Sequence, residues 1–345
     1  MQYFTPHNRS DHSERPERDT YRPYLPEGSL LSERRNIEYR SSLSGLEKAL
    51  KEQRILEAPV TLCDASFRLH VELCPGVMGI IEREECLMTR EQETIKDIAV
   101  LTRVGKAAAC KVLSIDRDPL SGTVVRLSRR AAQEECAERY LSALSPGDLI
   151  PAKVTHLEPF GAFCDIGCGI VALLSVDCIS VSRISHPRDR LTPGDRITVA
   201  VKDIDRETGR IFLTLKELLG TWEENATLFE PGQTVAGIVR SIEPYGIFVE
   251  LTPNLAGLAE RAPGEGSATL PEIGTPVAVY IKSILPERMK IKLVLIDPCH
   301  TELPRKITGR PIRYFTDPRE VSHIDHFLYS PACSSRRIET VFSQN

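Results

Sequence analysis

An internal repeat constrains this chain more than any other feature. The run Pro146-Gly147-Asp148-Leu149-Ile150 through Asp165 returns 85 residues later as Pro231-Gly232-Gln233-Thr234-Val235 through Glu250. Val154 meets Val239, Glu158-Pro159 meets Glu243-Pro244, Phe160-Gly161-Ala162-Phe163 meets Tyr245-Gly246-Ile247-Phe248, and Leu173 meets Leu258. Farther on the spacing falls to 80, so that Gly194 meets Gly274, Lys202 meets Lys282, Ile204 meets Ile284, Arg210 meets Lys290 and Leu213 meets Leu293. One shortened loop accounts for the slip. Self-similarity of this kind means tandem copies of one folding unit.

Each copy alternates apolar and polar residues in short runs punctuated by Gly and Pro, and lacks long segments of helical period. The expected class is mainly β: tandem five-stranded barrels of OB-fold size joined by short helices. In the first clear copy the strands are expected near 148–157, 161–167, 170–176, 196–205 and 210–216. The expected layout is a disordered arm over 1–32, a helix over 33–54, a degenerate barrel unit over 55–128 and a helical connector over 129–145. A clear barrel over 146–216, a helical linker over 217–229, a second clear barrel over 230–297 and an irregular tail over 298–345 complete it. The degenerate unit is recognised by Ile115-Asp116-Arg117 and Val125-Arg126-Leu127-Ser128, which echo Ile204-Asp205-Arg206 and Ile211-Phe212-Leu213-Thr214. It lacks the aromatic-Gly-x-Phe sequence.

Composition narrows the function. A net charge of -4 over 345 residues argues against coating nucleic acid by bulk positive charge, so any such site must be local. The start, Met1 to Gly28, has no apolar core of the kind a secretory signal needs, and charged residues interrupt every hydrophobic run. A soluble, cytoplasmic protein is expected. The ten cysteines are scattered in apolar runs, as in Cys63, Cys110 and Cys164, which fits a reducing compartment. Cys164 and Cys168 lack a second pair or His cluster at zinc spacing, so neither metal nor cofactor is expected. No P-loop, GxSxG or other catalytic constellation is present, and no catalytic residue is expected.

Strand parity nominates the binding residues. Ala162, Cys164 and Ile166 share one face, which is the core, while Phe163 shares the other with Asp165; Phe248 likewise shares a face with Glu250. Carboxylates on that face suggest that it is wet and the rings exposed. Phe160 and Tyr245 precede the second strand, where a ring could equally plug the barrel mouth. Exposed rings of this kind stack on bases. Parity also places Arg210 on the outer face of the last strand, matched by Lys290, and puts Lys153 and Arg240 outward on the first.

This ordered set (Pro-Gly, Val, aromatic-Gly-x-Phe, Leu, Gly, Lys, Asp and a basic residue) resembles the S1 RNA-binding domain family. The match is good over 146–216 and 231–296 and poor over 55–128. The resemblance implies OB barrels of S1 type that bind single-stranded RNA, including mRNA, without catalysis. It implies RNA-binding roles for Phe160, Phe163, Asp205 and Arg210, and for Tyr245, Phe248 and Lys290, with Lys153 and Arg240 as outer-face cations. The family's third-strand His is Ser175 in one copy and Glu260 in the other, and Glu260 would repel a phosphate. The resemblance further implies that the aromatic-poor first unit docks on the small ribosomal subunit and that the protein is a monomer acting in translation. A regulatory or stress-associated RNA binder, or an accessory subunit of an RNA-processing enzyme, is the alternative.

Overall fold

The computed structural model describes residues 24–89, 94–118, 122–260, 270–297 and 312–342. Residues 1–23 of the expected arm, and 298–311 and 343–345 of the expected tail, lie outside the described residues.

Three closed five-stranded barrels follow one another. The first is formed by β1 Ile55–Cys63, β2 Leu69–Glu72, β3 Val77–Ile81, β4 Ala107–Asp118 and β5 Gly122–Ser128. The middle barrel comprises β6 Leu149–Glu158, β7 Gly161–Gly167, β8 Ile170–Ser175, β9 Arg196–Asp205 and β10 Arg210–Thr214. The third comprises β11 Thr234–Glu243, β12 Gly246–Thr252, β13 Leu255–Glu260, β14 Pro276–Leu285 and β15 Lys290–Asp297. In each, an antiparallel meander of three strands is closed by the last strand, which runs parallel to the third and antiparallel to the fourth. Parity sets the cores: Ala162, Cys164 and Ile166 point inward with Leu174, Val199 and Leu213, and Ile247, Val249, Ile281 and Leu293 fill the third barrel. Each Val, Leu or Ile among them, removed from water, stabilises by roughly 1.5–3 kcal/mol.

The sharp turn into β7 explains the repeated glycine. A Cβ on Gly161 would stand 2.6 Å from the Leu174 carbonyl oxygen, and one on Gly246 2.6 Å from that of Ala259, so only glycine lets the neighbouring strand approach.

The helix expected over 33–54 is two, α1 Arg34–Arg40 and α2 Leu43–Glu52, separated where Ser42 caps α2 by accepting from Gly45 N. A short helix, α3 Asp97–Leu101, lies between β3 and β4. The connectors contain α4 Arg129–Arg139 and α5 Trp222–Ala226, the latter closed by a Thr221/Glu224 capping box. Trp222 does not bridge loosely but packs into the third core.

Two expectations are corrected. The arm is not disordered throughout: residues 24–30 are wedged between the first and middle barrels, with Glu27 and Leu30 buried. The tail is not wholly irregular, since β16 His326–Leu328 pairs with β17 Glu339–Val341. It also packs across two barrels. Tyr314 joins the middle core and Tyr329 the third, Leu149 N donates to Ser322 O at 2.9 Å, and the Tyr329 hydroxyl donates to Asn254 O at 2.5 Å.

Candidate nucleic-acid interface

The register defines one outer row across each barrel. In the middle barrel His156, Phe163, Leu173, Phe212 and Asp203 are successive cross-strand partners. In the third the row reads Ser241, Phe248, Leu258, Lys292 and Ser283. In the first it reads Leu62, His70, Ile80, Arg126 and Ser114. Three barrels of one topology thus present three different chemistries at the same place.

The middle row is aromatic. Phe163 is half-buried and packs edge-on to Phe160, with centroids 6.0 Å apart at 89°. His156 stacks on its other side at 6.4 Å and 22°. Phe160, in the turn before β7, is 55% exposed. The third barrel repeats only the pair: Tyr245 meets Phe248 at 6.2 Å and 89°. The two readings left open for Phe160 and Tyr245 are thereby decided for exposure, because neither plugs the barrel mouth.

The carboxylates beside these rings do not mark a wet face. Asp165 and Glu250 are buried, at 2% and 3% exposure, and both face joints between barrels rather than water. Asp165 Oδ2 accepts from Glu27 N at 2.7 Å, and its Oδ1 from Gly167 N and Gly169 N at 2.9 and 3.0 Å. Burial, then the nearby Glu27 carboxylate, pushes its pKa up to about 6. Burial likewise raises Glu57 to about 7; its Oε2 accepts from Gly28 N and Leu30 N, while Oε1 has no partner among the described residues. Burial opposes ionisation of Glu27 too, but Arg129 Nε at 2.6 Å and Arg103 Nη1 at 3.1 Å outweigh it and hold that carboxyl below its ordinary range.

The same joints claim two of the expected cations. Lys153 Nζ donates to Glu27 O at 2.8 Å, so its ammonium is tied to the N-terminal segment instead of standing on the ring face. Arg240 is the extra residue of a β-bulge between Val239 and Ser241. Its guanidinium is 9% exposed and donates from Nε to Glu250 Oε2 at 2.6 Å, with Asp189 at 3.6 Å. Parity failed for both because it assigns a face, not what covers that face.

Asp205, Arg210 and Lys290 lie on the hairpins that close the middle and third barrels. Asp205 Oδ1 accepts from Glu207 N and Thr208 N at 3.0 Å each, and the Thr208 hydroxyl also bonds it; these contacts, led by Thr208, hold its carboxyl below the usual range. It is the cross-strand partner of Arg210, which is exposed and makes no ion pair among the described residues. Lys290 is exposed at the matching position. Glu260, expected to repel a phosphate, is 3.1 Å from Lys292 Nζ, which offsets its charge.

Sequence reading missed His156. A bulge between Val154 and His156 turns it, instead of Thr155, toward Phe163, and no local residue type signals that bulge. It also missed the rings of the first barrel: Phe67, covered by Arg83 at 4.7 Å, and His70, whose Nε2 is 3.2 Å from Asp64. Among the described residues no group of His, Cys, Asp and Glu could hold a metal ion, and no helix is long and apolar enough to cross a membrane.

Residues 144–216 match the S1 RNA binding domain family. Small ribosomal subunit protein bS1 of Staphylococcus aureus (strain COL) is 30% identical over 275 residues, covering 78% of this chain and 65% of that protein. The protein of the same name from Leuconostoc lactis is 34% identical over 193 residues, covering 53% and 44%. Small ribosomal subunit protein bS1 homolog of Bacillus subtilis (strain 168) is 28% identical, covering 79% and 67%. The chain therefore spans less than two thirds of the length of the staphylococcal relative. A solved multidomain protein with nucleic acid binding domains from Streptococcus pneumoniae is 17% identical over 72% of this chain and 74% of its own, with a TM-score of 0.23.

Proposed function

From the match of residues 144–216 to the S1 RNA binding domain family we propose that the chain binds single-stranded RNA, mRNA included, chiefly on the middle barrel. One observation carries the reading: Phe160, Phe163 and His156 form a contiguous ring cluster, with Phe212 two strands from Phe163 in the same row. Every base has a π-face, so such a platform holds single strands with little sequence demand. Arg210, oriented by the Asp205 turn, supplies the phosphate contact. The work is done by stacking and charge, and no residue is assigned a catalytic role.

The bS1 names of the relatives support a place in translation at the small ribosomal subunit, and hence in the cytoplasm. The first barrel is the proposed docking unit: Leu62, Met78 and Leu113 are about half exposed there, and one face of Phe67 is already taken by Arg83. The chain acts as a monomer in this reading.

Fluorescence anisotropy with a labelled single-stranded oligoribonucleotide, and a duplex of the same sequence as control, tests the proposal. Preference for the single strand is expected; equal binding of the duplex would sink it. Co-sedimentation with small subunits through a sucrose gradient separates the translational role from a regulatory one, which recovery only in ribosome-free fractions would favour. Shortening of the labelled RNA during incubation with magnesium would overturn the non-catalytic assignment.

A further inference from the structure

One cross-strand pair in the outer row of the middle barrel has no counterpart on the other two. Half-buried Phe212 on β10 stands directly opposite exposed Asp203 on β9. The third barrel holds Lys292 and Ser283 at these places, and the first holds Arg126 and Ser114. Directly opposed side chains lie roughly 4.5–5.5 Å apart at Cβ, so a base lying on the Phe212 ring brings an edge to the Asp203 carboxylate. The next pair along these strands, Ile211 and Ile204, packs on the core, and the one after it, Arg210 and Asp205, returns to the outer face. Two residues of strand separate Arg210 from Phe212, roughly 6.4–6.8 Å, which lets one nucleotide set its phosphate on Arg210 and its base on Phe212.

A carboxylate on a face that meets RNA repels phosphate unless something else occupies it. Glu158 and Asp205 are occupied: Glu158 Oε1 is 2.7 Å from His156 Nε2, and both oxygens of Asp205 are taken up by the turn that follows it. Asp203 differs. Its Oδ1 accepts from Ile204 N at 2.8 Å, and the other oxygen has no partner among the described residues. Nor does it form an ion pair among them, although cations are near: Arg210 is two residues from its cross-strand partner, and the adjacent Lys202 turns its ammonium to Cys178 Sγ at 3.1 Å. Each carboxylate oxygen has two lone pairs, so both Asp203 oxygens can still accept. Guanine is the base whose Watson–Crick edge sets two donors, N1–H and the N2 amino group, side by side, which matches a carboxylate in a charge-assisted bidentate contact. Adenine and cytosine offer one amino group beside a ring-nitrogen acceptor, and uracil has its N3–H between two carbonyl oxygens. Each of those acceptors would face the carboxylate.

We infer that Asp203 gives the middle barrel a preference for guanine: a guanine stacked on Phe212 donates N1–H and N2–H to the Asp203 carboxylate, while Arg210 holds the phosphate of the same nucleotide. The inference rests on the single-stranded RNA binding proposed for this barrel and adds a base preference that stacking alone does not supply. Ser114 and Ser283 leave the other two barrels without it.

The full chain is titrated by fluorescence anisotropy, at one fixed salt concentration, with end-labelled uridine heptamers that are either uniform or carry a single central guanosine, inosine, adenosine or cytidine. The guanosine heptamer is expected to bind about tenfold tighter than the uniform one, toward the low end of what a bidentate base contact discriminates. Inosine, which lacks the N2 amino group, should fall between the two. Asp203→Ser installs the residue of the other barrels at an exposed place and should abolish the preference from both sides, weakening the guanosine heptamer and tightening the uniform one as the repelling carboxylate is removed. A merely structural role would weaken both. Phe212→Leu keeps the carboxylate but removes the ring under the base, and should lower both affinities and the preference with them. Equal binding of the guanosine and uniform heptamers by the unaltered protein would overturn the inference and leave RNA binding in place. So would inosine, adenosine or cytidine bound as tightly as guanosine, or a preference that survives Asp203→Ser. Failure of every heptamer to bind would instead overturn the proposed RNA binding itself, and the base preference with it.

Discussion

The middle and third barrels share topology, register and an apolar interior, yet their outer rows part at three of five places: His156 becomes Ser241, Phe212 becomes Lys292 and Asp203 becomes Ser283. Inward positions must together fill a closed barrel, so that the paired Ala162 and Leu174 of one core become Ile247 and Ala259 of the other, whereas the outer row answers only to what it meets. In the middle barrel that row became rings; in the third it became a ring pair beside the Glu260–Lys292 ion pair. Two residues farther along the same strand the two agree in a less obvious way. Asp165 and Glu250 occupy equivalent places, and each latches its barrel to another element, the first through Glu27 and the second through Arg190 and Arg240. One end of that outer face was left free to bind and the other recruited to assemble the chain.

Breaking the first of these latches should give the largest effect. Arg129 is 2% exposed and donates to Glu27 at 2.6 and 3.2 Å, so Arg129→Ala leaves a buried carboxylate with Arg103, at 3.1 Å, as its remaining cation. Loss of one partner of a buried pair costs about 3–5 kcal/mol. Denaturant unfolding should show that loss in the first-to-middle joint, while RNA affinity per folded molecule stays unchanged. A parallel loss of RNA affinity would mean that the latch and the ring row are one site.

The first joint should also respond to pH. Asp165 and Glu57 have folded pKa values raised to about 6 and about 7, so the fold favours their protonated forms. Their stabilisation is full below the ordinary carboxylate range and is lost as pH rises through 6 to 7. Glu27 is shifted downward, so its contribution is present above its ordinary value and lost as pH falls below it. The first joint should therefore be firmest near pH 5 and lose roughly 2–3 kcal/mol by pH 8, since a roughly hundredfold change in proton affinity is worth about 1.36 kcal/mol per factor of ten. Unfolding midpoints measured across that range check this. Asp165→Asn should remove its own share of the slope and leave the share that Glu57 carries toward pH 7, and a slope unchanged by it would assign the effect elsewhere.

How far the sequence reached follows from the same division. The five strands of the middle barrel are legible to within a residue or two because Gly and Pro punctuate them and Ala162, Cys164 and Ile166 alternate with polar neighbours. Phe160 and Phe163 are legible because the motif repeats. Lys153, Arg240, Asp165 and Glu250 were misplaced together, since a strand's own pattern cannot say that another part of the chain will cover its outer face. His156 was missed because a bulge reverses parity for the residues beyond it. Long-range contact and local irregularity are the two things that period-two reasoning does not contain.

The ring rows themselves are compared most directly by truncation. Phe163→Ala removes a ring that touches both Phe160 and His156 and should weaken single-stranded RNA binding by roughly 1–3 kcal/mol, the worth of one stacked base. Phe248→Ala removes a ring with one aromatic neighbour beside an ion pair and should cost less than about 1 kcal/mol. Anisotropy titrations of the two variants decide it. Equal losses would mean that the barrels share the load and that the outer-row differences are without consequence.

An exchange of the rows gives a change of similar small size and the sharpest test of cause. Placing Glu260→Ser and Lys292→Phe together in the third barrel removes both members of an exposed pair, which was worth little to the fold, and installs the residues that the middle barrel carries as Ser175 and Phe212. Measured in a Phe163→Ala background, so that the middle platform does not mask the result, the exchange should recover about 1 kcal/mol of RNA binding, the low end of one added stacking surface. The recovery should be incomplete, because Ser241 stands where His156 closes the middle row and no ring replaces it. Full recovery would show that His156 contributes nothing. No recovery would show that the third barrel is held away from RNA by its place between the middle barrel and the tail, and not by the side chains of its row.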